Sequence, residues 1–543
     1  MYAGNGERRL LVLAGACLLP VCAQAAPPTP GSIGDSLKQP PTLQPPAPAP
    51  SISTPQAQAP AGSNTGATLT VSRFSFSGNT LFGEDVLAPL VADYVNRPIT
   101  LGQLYEAADK VADFYARQGY ALASVNVPAQ KIKDGVVRLE VIEGHIGKIG
   151  FEGRRRYRED ILRGFAHHTG TKDAYRTGPL EQDLQALNAL PGLAARAVIQ
   201  PGADYGTSDI TVKLQEDPLE GYVVTDNYGR KDTGEYRVSA SATLNNPGGI
   251  ADQFTVLGTH STNNRLNYGY FDYNLPVDFS GTRLDLNFGH AYFDAAPANI
   301  PGRNNNLQIS LIHPWLRDSS DTLTTTAGFL HTDGNADLAG IRISDTNINL
   351  LNLGLTWSHI WSSSAVTQYS ASAHTNFSQS FSRGPFNEDR NRERLRLEVN
   401  LQHLQPLPAH LQALLQADAV YSPDPLADTE QMSIGGPTTL RGFPTSEARG
   451  DRGFFTQLTL RRPWTFGKAA VVPRIYVDTG LVDSKSFAPG NNHSDSLTSV
   501  GLGTDLIYRT VDLKVDWSYP LDSTPVSDGR DDGRVYAALS VGF

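Results

Sequence analysis

Cysteine is almost missing: the 543 residues hold two, Cys17 and Cys22, both within the first 26. That opening reads as a secretory signal. Arg8-Arg9 give the positive start, Leu10 to Leu19 the apolar core, and Ala23-Gln24-Ala25 a small-residue cleavage pattern. A lipid anchor on Cys17 is the lesser reading, because Ala14 stands where Leu is usual. The mature chain then has no thiol, which excludes a disulfide, a thiolate metal site and a cysteine nucleophile. A basic excess is also lacking: 45 Lys+Arg face 55 Asp+Glu, so nothing global supports a nucleic-acid partner. Beyond the leader, no stretch reaches the roughly 18 continuous apolar residues that a spanning helix needs. An exported chain without one is either soluble or a membrane barrel, in which half of each strand faces water.

The signatures of catalysis are missing too. There is no Gly-x-Ser-x-Gly elbow, His-Glu-x-x-His pair or phosphate-cradling Gly-x4-Gly-Lys. No enzyme, cofactor or metal site is expected. His167-His168 sits at a predicted helix end and reads as an exposed pair, and Asp528, Asp531 and Asp532 read as an acidic outer loop rather than a calcium site. What is plentiful is Gly (50), Tyr (21) and Phe (21), which suits a β-rich chain with many turns.

Pro27 to Gly66 is rich in Pro, Ala, Gln and Ser and cannot bury enough apolar surface to fold. It reads as an extended tether, with a helical turn expected only at Gly34 to Gln39. From Ala67 the texture changes to strand (Leu69–Ser77), helix (Gly83–Tyr94), helix (Leu101–Gln118), strand (Ala121–Val127) and strand (Val136–Ile142). The same order recurs as Ile146–Phe151, Arg158–His168, Pro179–Leu190, Ala195–Gln200 and Ser208–Gln215. Two tandem α+β units are therefore expected, at 67–144 and 145–217. The densest basic cluster, Arg154-Arg155-Arg156 with Arg158, reads as a solvated face or as a contact with anionic headgroups or an acidic polypeptide.

From 218 to 543 the helical period gives way to alternation. Val511, Leu513, Val515, Trp517 and Tyr519 share one face, and Asp512, Lys514, Asp516 and Ser518 the other. About sixteen strands are expected, an even number as in bacterial outer-membrane barrels. Connections at one rim are short, as at Asp278–Gly281, Ser362–Ser364, Pro406–Ala409 and Gly467-Lys468. Those at the other are expected to be long: Asp294–Arg303, Thr332–Asp345, Gln379–Asn391, Ser422–Arg452, Val482–Asp495 and Asp522–Gly533. Such segregation is a barrel signature. The last strand places Val535, Ala537, Leu539, Val541 and the terminal Phe543 on one face.

The longest of these connections, 422–452, carries Gly435-Gly436-Pro437-Thr438-Thr439-Leu440-Arg441-Gly442-Phe443, a glycine-rich fold-back with one fixed charge. On the strand expected around 474–480, Arg474, Tyr476 and Asp478 share a face opposite Ile475 and Val477, so Asp478 should point into the lumen.

The N-terminal units resemble POTRA (polypeptide-transport-associated) domains, on Gly119-Tyr120, Val125-Asn126-Val127-Pro128-Ala129-Gln130 and Val141-Ile142-Glu143-Gly144. The resemblance implies capture of unfolded polypeptide along a sheet edge. The whole chain resembles the two-partner secretion transporters (TpsB family, haemolysin secretion/activation proteins). That likeness rests on Asp226-Asn227-Tyr228-Gly229 with Thr233-Gly234, His313-Pro314, Leu440-Arg441-Gly442-Phe443, and Tyr476-Val477-Asp478-Thr479-Gly480. It implies α+β POTRA modules before an all-β transmembrane barrel, a sixth loop folded into the lumen, and an Arg441–Asp478 ion pair. Phe543 resembles the signal read by the barrel-assembly machinery. The implied partners are one secreted exoprotein of adhesin or haemolysin type, that machinery, and outer-membrane lipid, with the chain a monomer. An insertase of the BamA/TamA kind and a passive porin are the alternatives. Many members begin with an amphipathic plug helix; Pro27 to Gly66 offers no convincing one.

Overall fold

The computed structural model describes residues 29–37, 43, 51–53, 68–171, 173–362, 364–376, 380–383, 395–485, 492–522, 527–530 and 532–543. The expected signal segment, most of the tether, most of Gln379–Asn391 and Asp531 lie outside them.

Each expected repeat folds as its own small sheet with helices on one face. In the first, Arg73–Ser77, Val136–Ile142 and Ser124–Asn126 lie side by side in that order. The Leu69–Ser77 run expected as one strand is broken at Val71-Ser72: Thr68–Thr70 turns away to pair with Pro98–Thr100. The helix Leu101–Arg117 starts in a capping box, Thr100 accepting from the Gln103 amide and Gln103 accepting from that of Thr100. It buries Leu104, Ala108, Val111 and Tyr115 against the sheet. In the second unit His145–Glu152, Thr207–Glu216 and Leu193–Pro201 repeat the order, with Glu159–Phe165 and Thr177–Asn188 packed over them.

The tether is not idle. Ile52–Ser53 adds a parallel strand to the open edge of Leu193–Pro201, Ile52 opposite Ala197. The Ala197 amide donates to the Ser51 carbonyl at 3.1 Å.

Leu219 to Gly542 forms a closed antiparallel barrel of sixteen strands, the first (Leu219–Asp226) pairing with the last (Arg534–Gly542). Phe543 completes the seam, exchanging backbone hydrogen bonds with Gly221 at 3.0 and 3.1 Å. Apolar side chains such as Leu353, Ile475 and Leu502 stand outward, 55–63% exposed. A band of that kind is tolerable only in lipid. Two expected long loops are corrected. The seventh and eighth strands, Asp321–Leu338 and Ile341–Ile360, run on through 332–345 to a turn at Ala339-Gly340. The fifth and sixth, Arg283–Ala295 and Ile300–Arg317, likewise consume most of 294–303. The prolines and glycine of 294–303 and the polar run Thr332 to Asn335 read as loop, but ladder pairing satisfies the backbone above the membrane as well as within it.

The second unit docks on the periplasmic turns. Phe165 meets Phe279 edge-on, centroids 5.3 Å apart, and Ala251 joins the unit's core. Gly164 leaves room for the Phe279 ring, which any β-carbon there would meet.

Candidate functional site: a lid, its lock and a plug inside the barrel

The sixth outer connection turns back into the lumen. Leu440 and Phe443 are fully buried with Ile434, Met432, Val420, Phe455, Val482 and Leu497. Gly442 reverses the chain at φ +104°, where a side chain would be strained, and lies against Ser499 and Ser518. Arg441 then reaches Asp478 on the thirteenth strand, Ala469–Ser484. Its Nε and Nη2 donate to the two carboxylate oxygens at 2.8 and 2.7 Å, and its own amide donates to Oδ2 at 3.1 Å. The guanidinium also donates to Thr459 and lies 3.4 Å over the Tyr476 ring. Ser499 Oγ donates to the Arg441 carbonyl, and Tyr476 OH pairs with Ser518 at 2.5 Å. A β-carbon on Gly480 would crowd the Phe454 carbonyl at 2.9 Å and Phe455 Cβ at 3.0 Å, and would stand 3.1 Å from Leu440 Cδ1.

The first-hairpin motif braces the same site. Asn227 bridges the seam, accepting from the Ala537 amide at 2.8 Å and donating to the Val535 carbonyl at 2.9 Å. Thr233 is buried, Gly234 turns at φ +116°, and Gly229 packs so closely on Gly234 that a β-carbon has no room. Thr445 of the lid donates to the Tyr228 carbonyl, and Arg230 donates to that of Thr445. Asp226 holds Arg237 at 3.0 Å, and Arg237 passes on a hydrogen bond to the Ser36 carbonyl of the tether.

The expectation that the tether holds no plug is corrected there. Pro30–Leu37 is a helix inside the barrel. Ile33 is fully buried among Leu266, Phe293, Ala295, Ile300 and Ala336. Asp35 pairs with Arg449 of the lid at 3.0 Å, the Gly31 amide donates to Asp428, and Asn304 donates to the Pro30 carbonyl. Eight residues with two glycines and a proline would not stay helical alone. The lumen supplies the partners, so periodicity in the sequence gave too little signal. Also unforeseen is a second lumenal cluster in which Arg474 donates twice to Asp516 at 2.8 Å and once to Asp505 at 2.6 Å. The shared face of Arg474, Tyr476 and Asp478 was its signal.

In the periplasmic units, Gly119 and Tyr120 meet the second unit, and the other motif residues brace the first. Gly119, at φ +90°, accepts from the Thr177 amide, and Arg176 covers Tyr120. Gln130 exchanges two 2.8 Å hydrogen bonds with the Arg138 backbone, imitating a strand. Glu143 accepts from the Thr80 and Leu81 amides at 2.7 Å and from Tyr115 OH at 3.1 Å. His313 joins Thr282 at 2.8 Å at the periplasmic rim, next to the register shift at Pro314.

A closed barrel with a lid held to its inner wall, behind a POTRA-type α/β region, defines an outer-membrane transport pore. The chain belongs to the family described as haemolysin secretion/activation protein ShlB/FhaC/HecB, whose sequence model matches residues 206–506. A second model, the ShlB-type POTRA domain, matches residues 69–144. The hemolysin transporter protein ShlB of Serratia marcescens is 26% identical over 89% of this chain and 88% of its own. The heme/hemopexin transporter protein HuxB of Haemophilus influenzae (strain 86-028NP) is 24% identical over 77% of each. Among solved structures, CdiB from Escherichia coli shares the fold with a TM-score of 0.65 at 22% identity, covering 90% of this chain and 92% of that one. BamA from Haemophilus ducreyi lacking POTRA domains 1-3 shares it at 0.58 and 14%, covering 88% of this chain and all of that one.

Proposed function

We infer that this chain is the outer-membrane pore of a two-partner secretion pair, exporting one exoprotein unfolded from the periplasm to the cell surface. The observation that carries this reading is the occupied lumen: a barrel whose bore holds its own lid and its own tether helix is a gated conduit, not a passive porin. The periplasmic units select the passenger by adding one of its strands to a sheet edge. The lid and plug then leave the bore and the passenger enters. The pore works as a monomer, without cofactor and without catalysis, so passenger folding outside supplies the driving force. Phe543 serves the barrel-assembly machinery during insertion. Adhesin-type and haemolysin-type passengers both fit the chemistry of such a bore. The fold shared with BamA leaves the insertase reading as the competitor, and two periplasmic units with a lumenal plug favour the conduit.

The test is to express the chain with a large secreted exoprotein as candidate passenger, and to compare cells carrying the chain whole or without 67–217. Export that survives the deletion sinks the selection step, and a chain that inserts other barrels but exports nothing sinks the conduit.

A further inference from the structure

We propose that Arg155 and Arg156 form a binding site for anionic phospholipid headgroups in the periplasmic leaflet of the outer membrane. This needs the barrel to sit in that membrane and does not depend on its export role.

The site is a short loop between the strand His145–Glu152 and the helix Glu159–Phe165 of the second unit. Its backbone is fixed by one carboxylate. Glu216 accepts from the amides of Arg155 and Arg156 at 2.8 Å and from that of Tyr157 at 3.3 Å. Tyr157 is buried behind the loop and donates to the Pro191 carbonyl at 2.7 Å. Glu216 ends the strand Thr207–Glu216, and Leu219, which opens the barrel, follows almost at once. Leu219 faces lipid at the periplasmic end of the seam, beside the exposed ring of Phe543. The loop also touches the rim directly, since a β-carbon on Gly249, in the first periplasmic turn, would stand 3.2 Å from the Arg156 carbonyl. The two arginines are thus held where apolar surface ends and headgroups begin.

The neighbouring cations are already used. Arg154 pairs with Glu159 at 3.3 Å, Arg158 with Asp160 at 2.5 Å, and Arg163 with Glu159 at 2.8 Å. Arg155 and Arg156 are exposed, and their guanidinium groups have no carboxylate partner among the described residues. On a chain of net charge −10, two free guanidinium forks against a membrane are suited to phosphate oxygens. An acidic passenger segment is the rival occupant, but the sheet order disfavours it. The loop follows His145–Glu152 at one border of the sheet, while Leu193–Pro201, the border to which the tether adds its strand, lies at the other. Two bound headgroups would fix how the second unit sits beneath the barrel.

The full chain in detergent micelles is titrated with phosphatidylglycerol or phosphatidylethanolamine, and bound lipid is counted by native mass spectrometry. The proteins are the natural chain, Arg155→Gln with Arg156→Gln, and Arg154→Gln as a neighbour already paired. Heat-modifiable migration confirms an intact barrel in each. The double variant should lose one phosphatidylglycerol-binding class by on the order of 30-fold, at about fivefold per basic residue, with phosphatidylethanolamine binding unchanged. Arg154→Gln should change little, and added salt should erase the difference. Equal phosphatidylglycerol retention by the natural chain and the double variant overturns the proposal. Unchanged lipid binding with weakened passenger binding overturns it in favour of the acidic polypeptide.

Discussion

Arg441 and Asp478 meet through three hydrogen bonds of 2.7–3.1 Å, 37 residues apart in sequence, with the carboxylate fully buried. Two of those bonds form a guanidinium–carboxylate fork and the third uses the arginine's own amide, so the carboxylate reads both the charge and the backbone position of the lid tip. A buried pair of this kind adds little net stability over an apolar substitute, but losing one member strands the other.

Removing one partner should therefore unlock the lid. Arg441→Ala leaves Asp478 without its cation, at about 3–5 kcal/mol against the closed position. Asp478→Asn keeps the shape and loses the charge, and should fall between the natural chain and Arg441→Ala. Exchanging the pair, Arg441→Asp with Asp478→Arg, should recover part of the loss. Exported passenger per inserted barrel is the readout, with single-channel current noise in planar bilayers as the physical one. Normal export from Arg441→Ala at equal barrel level would remove the lock from the mechanism.

The plug should leave more easily than the lid. Its hold is one fully buried side chain, Ile33, and polar contacts to Arg449, Asp428, Asn304 and Arg237. Ile33→Asp sets a carboxylate among Leu266, Phe293 and Ile300, which costs several kcal/mol and should expel the helix. Asp35→Ala should weaken it less, by about 1–3 kcal/mol, since Arg449 keeps its contacts to Thr29 and the Asp428 carbonyl. Steady conductance should rank Ile33→Asp above Asp35→Ala above the natural chain. Equal conductance for all three would mean that the helix does not obstruct the bore.

Acid should loosen the first periplasmic unit at a defined place. Burial works to raise the Glu143 pKa, but hydrogen bonds from Thr80, Leu81 and Tyr115 outweigh it and hold the carboxyl below its ordinary 4.5. A group depressed on folding stabilises the fold in its ionised form. That contribution is complete above the ordinary value and is lost as pH falls through the lower folded one. Hydrogen exchange across 78–82, corrected for intrinsic rates, should stay slow at neutral pH and accelerate below pH 4.5. Glu143→Gln should exchange fast at every pH, because a neutral amide cannot accept from four donors, the Thr80 amide and hydroxyl, the Leu81 amide and Tyr115 OH, as the carboxylate does. An unchanged profile in that variant would deny the carboxylate its role.

Much of this was legible from residue order, because period-two alternation and turn chemistry act locally. Alternation placed Asp478 on the inner face, and the glycines around Arg441 signalled the fold-back. Loop lengths were misjudged at 294–303 and 332–345, where prolines, glycines and polar residues signal a turn, while the ladder runs on and its inner face at Ala295, Ile300 and Ala336 packs on the tether helix. The helix at Pro30–Leu37, of which only a turn at Gly34 to Gln39 is expected from the sequence, and the strand at Ile52–Ser53 were missed for a different reason. Neither is favoured by its own sequence; each takes its shape from a surface supplied elsewhere in the chain. Arg237 was hidden in the same way, since its partners, Asp226 and the Ser36 carbonyl, come together only when the barrel is closed and the tether is inside.

The same tether touches both ends of the machine, and this leads to the strictest prediction. Its helix sits in the bore, and 15 residues further on Ile52–Ser53 covers the edge of Leu193–Pro201. An incoming passenger strand would pair with that edge, so tether and passenger compete for one row of backbone groups. Two ladder residues are a weak hold, and Ile52→Pro stiffens the chain there and withdraws the Ile52 side chain from the unit's core. Passenger affinity for the full transporter should rise severalfold in Ile52→Pro, matching the ~1 kcal/mol that a partly buried aliphatic side chain supplies. Joining the two strands by Ile52→Cys with Ala197→Cys should lower it and restore it on reduction. If capture at this edge also frees the plug, Ile52→Pro should raise the open fraction in bilayers without passenger. Raised affinity with an unchanged open fraction would leave the competition standing and deny that the tether carries it to the gate.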